Sequence, residues 1–191
     1  MRLPMTTPLS TPIDLARLPG FAAASLKTAL EALEVCPEPE IRRLTIHPQA
    51  LTPAGAKNFL DVELAKLPAK SPTLYRIGVP ADLNPELVLQ AFDAGKTKSA
   101  ERSFSRRHGP RSRFLYVGRS SSIRKRIYEH LGFGARGTYA LNLACWAQSL
   151  GVPLDLECAS YGDGISPLAL PHLEDALWTS SMPMFGRQGS V

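Results

Sequence analysis

Residues 114–131, FLYVGRSSSIRKRIYEHL, constrain the fold more than any other stretch of the chain. Phe114, Leu115, Tyr116 and Val117 form a short apolar run of β-favouring types, which predicts a strand. Gly118 breaks the run, and Ser120, Ser121 and Ser122 follow. Serine ahead of a periodic segment signals a helix N-terminus, because its hydroxyl accepts from an orphan amide of the first turn. Ile123, Ile127 and Leu131 recur every fourth residue and make one apolar stripe. Arg126 and His130, also four apart, share a face beside it. The unit is strand, tight turn and basic helix. Taken alone, it fits an ordinary βα unit with a solvated helix as well as it fits one wall of a phosphate site.

Charge narrows the choice. Lys96, Lys98, Arg102, Arg106, Arg107, Arg111, Arg113, Arg119, Arg124, Lys125 and Arg126 fall within 31 residues that contain one acid, Glu101. That window carries +10, whereas the whole chain carries +5. Positive charge focused on one region is the footprint of a phosphate-backbone partner, with duplex DNA the expected one. The bland alternative is a solvated basic loop. No apolar run reaches about 18 residues, so no membrane span is expected. The N-terminus has no apolar segment of secretory type, which makes a cytoplasmic protein the expectation. Cys36, Cys145 and Cys158 are odd in number and lack CxxC spacing, so they suggest neither a disulfide framework nor a zinc site.

The rest of the chain predicts further elements. Helices are expected over Phe21–Val35 and from Thr52-Pro53 towards Pro68, with Thr52 as N-cap. Arg42–His47 suggests a short strand between them. Residues 72–79, PTLYRIGV, predict a strand closed by Pro80, and Pro85–Phe92 a short helix. The basic segment 96–113 is expected to be a mobile loop. GFGARG at 132–137 follows a helix and lacks GK[ST], so it is a connector and not a phosphate-cradling loop. Thr138–Leu150 predicts a helix and Pro153–Tyr161 a half-exposed strand. Leu170–Ser180 predicts the last helix.

The strand end Tyr116-Val117-Gly118, followed by Arg126 and His130 on a helix, resembles the second half of the GIY-YIG nuclease signature. Tyr75 in Thr73-Leu74-Tyr75 matches the first tyrosine of that family, and Glu174 in LPHLEDALW its single glutamate. The resemblance covers roughly residues 72–187. It implies an α/β fold: a small three-stranded antiparallel or mixed sheet flanked by helices, occupying 71–191. Residues 1–70 would be a mainly helical extension, and 80–113 a basic insertion between the first two strands. It also implies a metal-dependent endonuclease using one Mg²⁺ or Mn²⁺ ion held by Glu174. Arg126 would clamp phosphate, and Tyr75 would orient or deprotonate the attacking water. Tyr116 and His130 would support it. The basic residues from Lys96 to Lys125 would bind DNA. Two departures stand out: the TLY element lacks the family's glycine, and Phe185-Gly186-Arg187-Gln188 stands where an asparagine often follows the proline. A DNA-binding module with this fold but no cleavage activity is the alternative, and an interaction protein for an acidic partner a further one. A single copy and a homodimer both remain open.

Overall fold

The computed structural model describes residues 17–109 and 112–189. Its elements are α1 (Leu18–Glu34), β1 (Glu40–Ile46), α2 (Pro53–Val62), β2 (Thr73–Gly78), α3 (Pro85–Lys98), β3 (Phe114–Ser120), α4 (Ile123–Leu131), β4 (Leu154–Ser160) and α5 (Ala169–Ser181). Short 3-10 turns join several of them. Arg111 lies outside the described residues.

The strands form one antiparallel sheet in the order β1-β4-β2-β3. A three-stranded sheet was expected, and the strand read separately at Arg42–His47 joins it as a fourth. Glu40–Ile46 pairs along its whole length with β4, from Glu40 opposite Ser160 to Ile46 opposite Leu154. The boundary expected at residue 70 does not separate two cores. Ile46, Leu51, Phe59, Leu64 and Leu67 belong to the same buried cluster as Tyr75, Ile77, Phe92, Ile127 and Leu156. Thr52 caps α2 as its sequence suggests, accepting from the Gly55 amide at 3.2 Å.

Burial explains the strand order. β2 is buried at five of its six positions, as a central strand must be. β4 alternates buried and half-buried residues, placing Leu154, Leu156 and Cys158 towards the core. α4 buries the expected stripe, Ile123, Ile127 and Leu131, together with His130.

Two expected elements differ. The helix predicted over Thr138–Leu150 is replaced by two 3-10 turns, Leu143–Cys145 and Ala147–Leu150. Asn142 sits in the left-handed region (φ 51°) and stops a helix from starting earlier. The basic segment between β2 and β3 is docked, not a free loop. α3 runs on to Lys98, and bridges join Phe104 to Ala140 and Arg107 to Phe185. Phe92 anchors this excursion. Its ring stacks on Phe185 at 4.2 Å and meets Phe104 and Trp146 edge-on.

Candidate active site

The antiparallel register of β2 and β3 builds the site. Tyr75 faces Gly118 across the pair, and Tyr116 faces Ile77. The two tyrosines are diagonal neighbours on one face and their rings stack at 6.1 Å, 15° from parallel. Only glycine fits between them. A Cβ on Gly118 would lie 2.8 Å from the Tyr75 hydroxyl and 2.9 Å from the Tyr116 ring. The glycine that ends the Tyr-Val-Gly run is therefore a steric requirement of the tyrosine pair.

α4 brings Arg126 and His130 to this face. The Leu141 amide donates to His130 Nδ1 at 3.2 Å, so Nδ1 is an acceptor and the ring proton sits on Nε2. Nε2–H then donates to the Tyr75 hydroxyl at 2.9 Å. Arg126 Nε donates to the same oxygen at 3.2 Å. Its Nη2 donates to the Tyr116 hydroxyl and the Tyr139 carbonyl at 3.1 and 3.2 Å, and Nη1 to Glu129 at 2.8 Å. One of the five guanidinium N–H groups, on Nη1, stays uncommitted. The two-pronged phosphate grip expected of Arg126 needs one of these bonds to open.

The electrostatics follow from burial. Tyr75 is 1% exposed, and desolvation, with the neighbouring Tyr116, pushes its phenol well above the usual range. Arg126 pulls the other way without reversing it. With only protein groups around it, Tyr75 is a neutral phenol and not a base. Burial, aided by the charge of Arg126, holds His130 neutral, well below its ordinary range. For Arg126, burial works against the charge, but Tyr75, Tyr116 and Glu129 outweigh it and keep the guanidinium cationic.

A cleft of about 390 Å³ opens over this network. Tyr116 and Arg126 line it with Phe104, Arg106, Tyr139 and Arg187. Arg106 comes from the excursion and Arg187 from the tail. Three arginines thus converge on one cavity. Tyr139 drew no attention in the sequence, and Arg187 appeared there only within the stretch that stands in place of the family's asparagine. Their role arises from folding, since the Tyr139 carbonyl meets Arg126 and the Gly186 amide donates to the Arg106 carbonyl at 2.9 Å.

Glu174 stands apart from this cleft. It lies in the second turn of α5, not at the helix start, and pairs with Arg119 at 3.1 Å. Strand alternation turns Arg119 away from the face that carries Tyr116. Residues 184–189 run past the same edge of β3. The Met184 and Phe185 amides donate to the Phe114 and Leu115 carbonyls, Gly186 packs on the Tyr116 ring, and Gly189 lies beside Glu174. Burial raises the Glu174 pKa, Arg119 opposes this, and Asp175 adds to it. The field of Glu174 still reaches Tyr75.

A hard divalent ion takes oxygen donors, and Mg²⁺ in particular binds through one or two carboxylates while keeping several waters. No cluster of three or more His, Cys, Asp or Glu exists among the described residues. Glu174 and its neighbour Asp175 supply oxygen donors only, and Asp175 Oδ1 is buried without a hydrogen-bond partner. That donor set fits a largely hydrated Mg²⁺ or Mn²⁺ and not a soft metal.

The other expected DNA-binding residues divide. Arg107 pairs with Asp93, Arg113 with Asp155 and Arg124 with Asp61. Arg102 donates to the Gly134 carbonyl and to Asn142. Lys96, Lys98, Arg106 and Lys125 are exposed, with no ion pair among the described residues. No family model, curated protein or solved structure matches the chain.

Proposed function

We propose that the protein is a metal-dependent DNA endonuclease of GIY-YIG type that hydrolyses backbone phosphodiesters. The observation that carries this reading is the single network in which Arg126 holds Tyr75 and Tyr116 at the floor of an arginine-lined cleft, with His130 fixing Tyr75 from behind. The scissile phosphate sits against Arg126, Arg106 and Arg187, whose fixed positive charge stabilises the extra negative charge of the transition state. Tyr116, the tyrosine that lines the cleft, orients the attacking water through its hydroxyl. Tyr75, neutral and sealed, holds Arg126 and Tyr116 in place. Glu174, with Asp175 beside it, holds the cation. Mg²⁺ held there would supply positive charge to the bound DNA backbone beside the cleft.

A second reading has its own support. The ion pair between Arg119 and Glu174, away from the cleft, suits a DNA-binding module without cleavage activity. Supercoiled plasmid incubated with Mg²⁺ or with EDTA separates the two. Nicking only with Mg²⁺ is the expected result, with turnover reduced about 10²-fold or more in both Glu174→Gln and Arg126→Ala. Intact plasmid under all conditions, alongside tight DNA binding, favours the module. Full activity in Glu174→Gln removes the metal role from that residue.

A further inference from the structure

Tyr139 has an unusual combination of fixed backbone and free ring. Its carbonyl accepts from Arg126 Nη2 at 3.2 Å. The next residue, Ala140, is bridged to Phe104, and its carbonyl accepts from the Ser105 amide at 2.9 Å. The side chain is nevertheless 69% exposed, on the rim of the cleft described above. A large aromatic ring left in water on a rigid mount is a surface waiting for a flat partner.

The surrounding wall identifies that partner. Arg106 and Arg187 are both exposed on the same cavity. They are held near each other because the tail and the excursion bond directly: Gly186 to the Arg106 carbonyl, and Arg107 bridged to Phe185. Neither makes an ion pair among the described residues. Arginines for phosphates and an aromatic platform for a base are together the equipment of single-strand binding. A base inside an intact duplex is already stacked on both faces and cannot offer one to Tyr139.

We propose that the cleft receives an unpaired nucleotide of a DNA strand, with its base stacked on Tyr139 and its flanking phosphates on Arg106 and Arg187. This rests on the nuclease reading for its consequence, a preference for DNA that is single-stranded or locally open at the cut. Every base has a π-face, so the platform tolerates any sequence.

Fluorescence anisotropy of the full chain tests this in EDTA, where no cleavage intervenes. The probes are a short labelled oligothymidylate and a blunt duplex. Tyr139→Ala is expected to weaken oligothymidylate binding about 5- to 150-fold, with a much smaller loss on the duplex. Tyr139→Phe, which keeps the ring, retains wild-type binding and shows that the mount has not collapsed. Wild-type affinity in Tyr139→Ala, or equal losses on both probes, overturns the stacking role. The outcome is independent of the nuclease reading. Binding that depends on Tyr139 without plasmid nicking would keep the stacking site and remove the nuclease. Nicking with wild-type affinity in Tyr139→Ala would do the reverse.

Discussion

His130 is fully buried, with Nδ1 on the Leu141 amide and Nε2 on the Tyr75 hydroxyl. Its pKa is depressed in the folded protein, chiefly by burial and further by Arg126. In the unfolded chain it titrates near 6.5, so below that pH the unfolded state binds more protons than the folded one. The stability His130 contributes is complete above about pH 6.5 and falls as pH drops, by up to about 1.4 kcal/mol per pH unit. Glu174 acts in the opposite sense, since its raised pKa makes the folded state the better proton acceptor. Urea unfolding of wild type and His130→Gln at about pH 7.5 and about pH 5.5 isolates the histidine, because the Glu174 contribution cancels in the difference. The wild type is expected to lose more stability than the variant on acidification. Equal losses would mean that the imidazole protonates without cost and is not sealed. The same neutrality defines its chemistry: His130 orients Tyr75 through a fixed proton on Nε2 and carries no charge into the site.

Phe92 decides whether the excursion between β2 and β3 is part of the body. Removing its ring by Phe92→Ala leaves a cavity beside Phe104, Trp146 and Phe185 and is expected to cost about 3–5 kcal/mol in urea unfolding. Proteolysis should become faster within residues 99–109. A cost under about 1 kcal/mol would show that the excursion is anchored elsewhere. Elements of this kind separate what the sequence discloses from what it conceals. The alternation of Leu154, Leu156 and Cys158 and the four-residue stripe of Ile123, Ile127 and Leu131 are local patterns, and β4 and α4 form where those patterns fall. Tyr75 and Tyr116 were picked out by the family resemblance and Arg126 and His130 by that resemblance together with helix spacing, and the four meet in one network. The helix expected over Thr138–Leu150 fails because Asn142 takes a left-handed conformation and the Trp146 indole bonds back to the Leu141 carbonyl, neither of which composition reveals. Arg106, Arg187 and Tyr139 come together through pairings between segments distant in sequence. No periodicity encodes that convergence. Glu174 was legible as a residue, but its position beyond the cleft, paired with Arg119, was not.

At the scale of the whole molecule, the charge window overstates the free positive surface among the described residues. Arg107, Arg113, Arg119 and Arg124 are spent on carboxylates of the protein itself, and Arg102 on a carbonyl and an amide. With Lys96, Lys98, Arg106, Lys125 and Arg187 exposed and Arg126 lining the cleft, duplex binding on the proposed reading is expected to show a log–log salt slope no steeper than about −5, and Arg187→Ala to flatten it by about 1. A slope near −9 would mean that the internal ion pairs open on binding. The excursion leaves and rejoins the sheet between two paired strands. Gly78 stands opposite Phe114, and the Val79 amide donates to the Arg113 carbonyl at 2.9 Å, so its two ends are hydrogen-bonded neighbours. Between those ends, exposed stretches outside α3 can change length at little cost, since loop entropy grows only slowly with size. The buried tyrosine–arginine–histidine network stays with the sheet and α4, and Val88, Leu89, Phe92 and Phe104 tie the excursion to the same core, so variation falls on its exposed positions such as Arg106. On the proposed nuclease reading, selectivity for DNA shape can then diverge through those positions while the network stays unchanged.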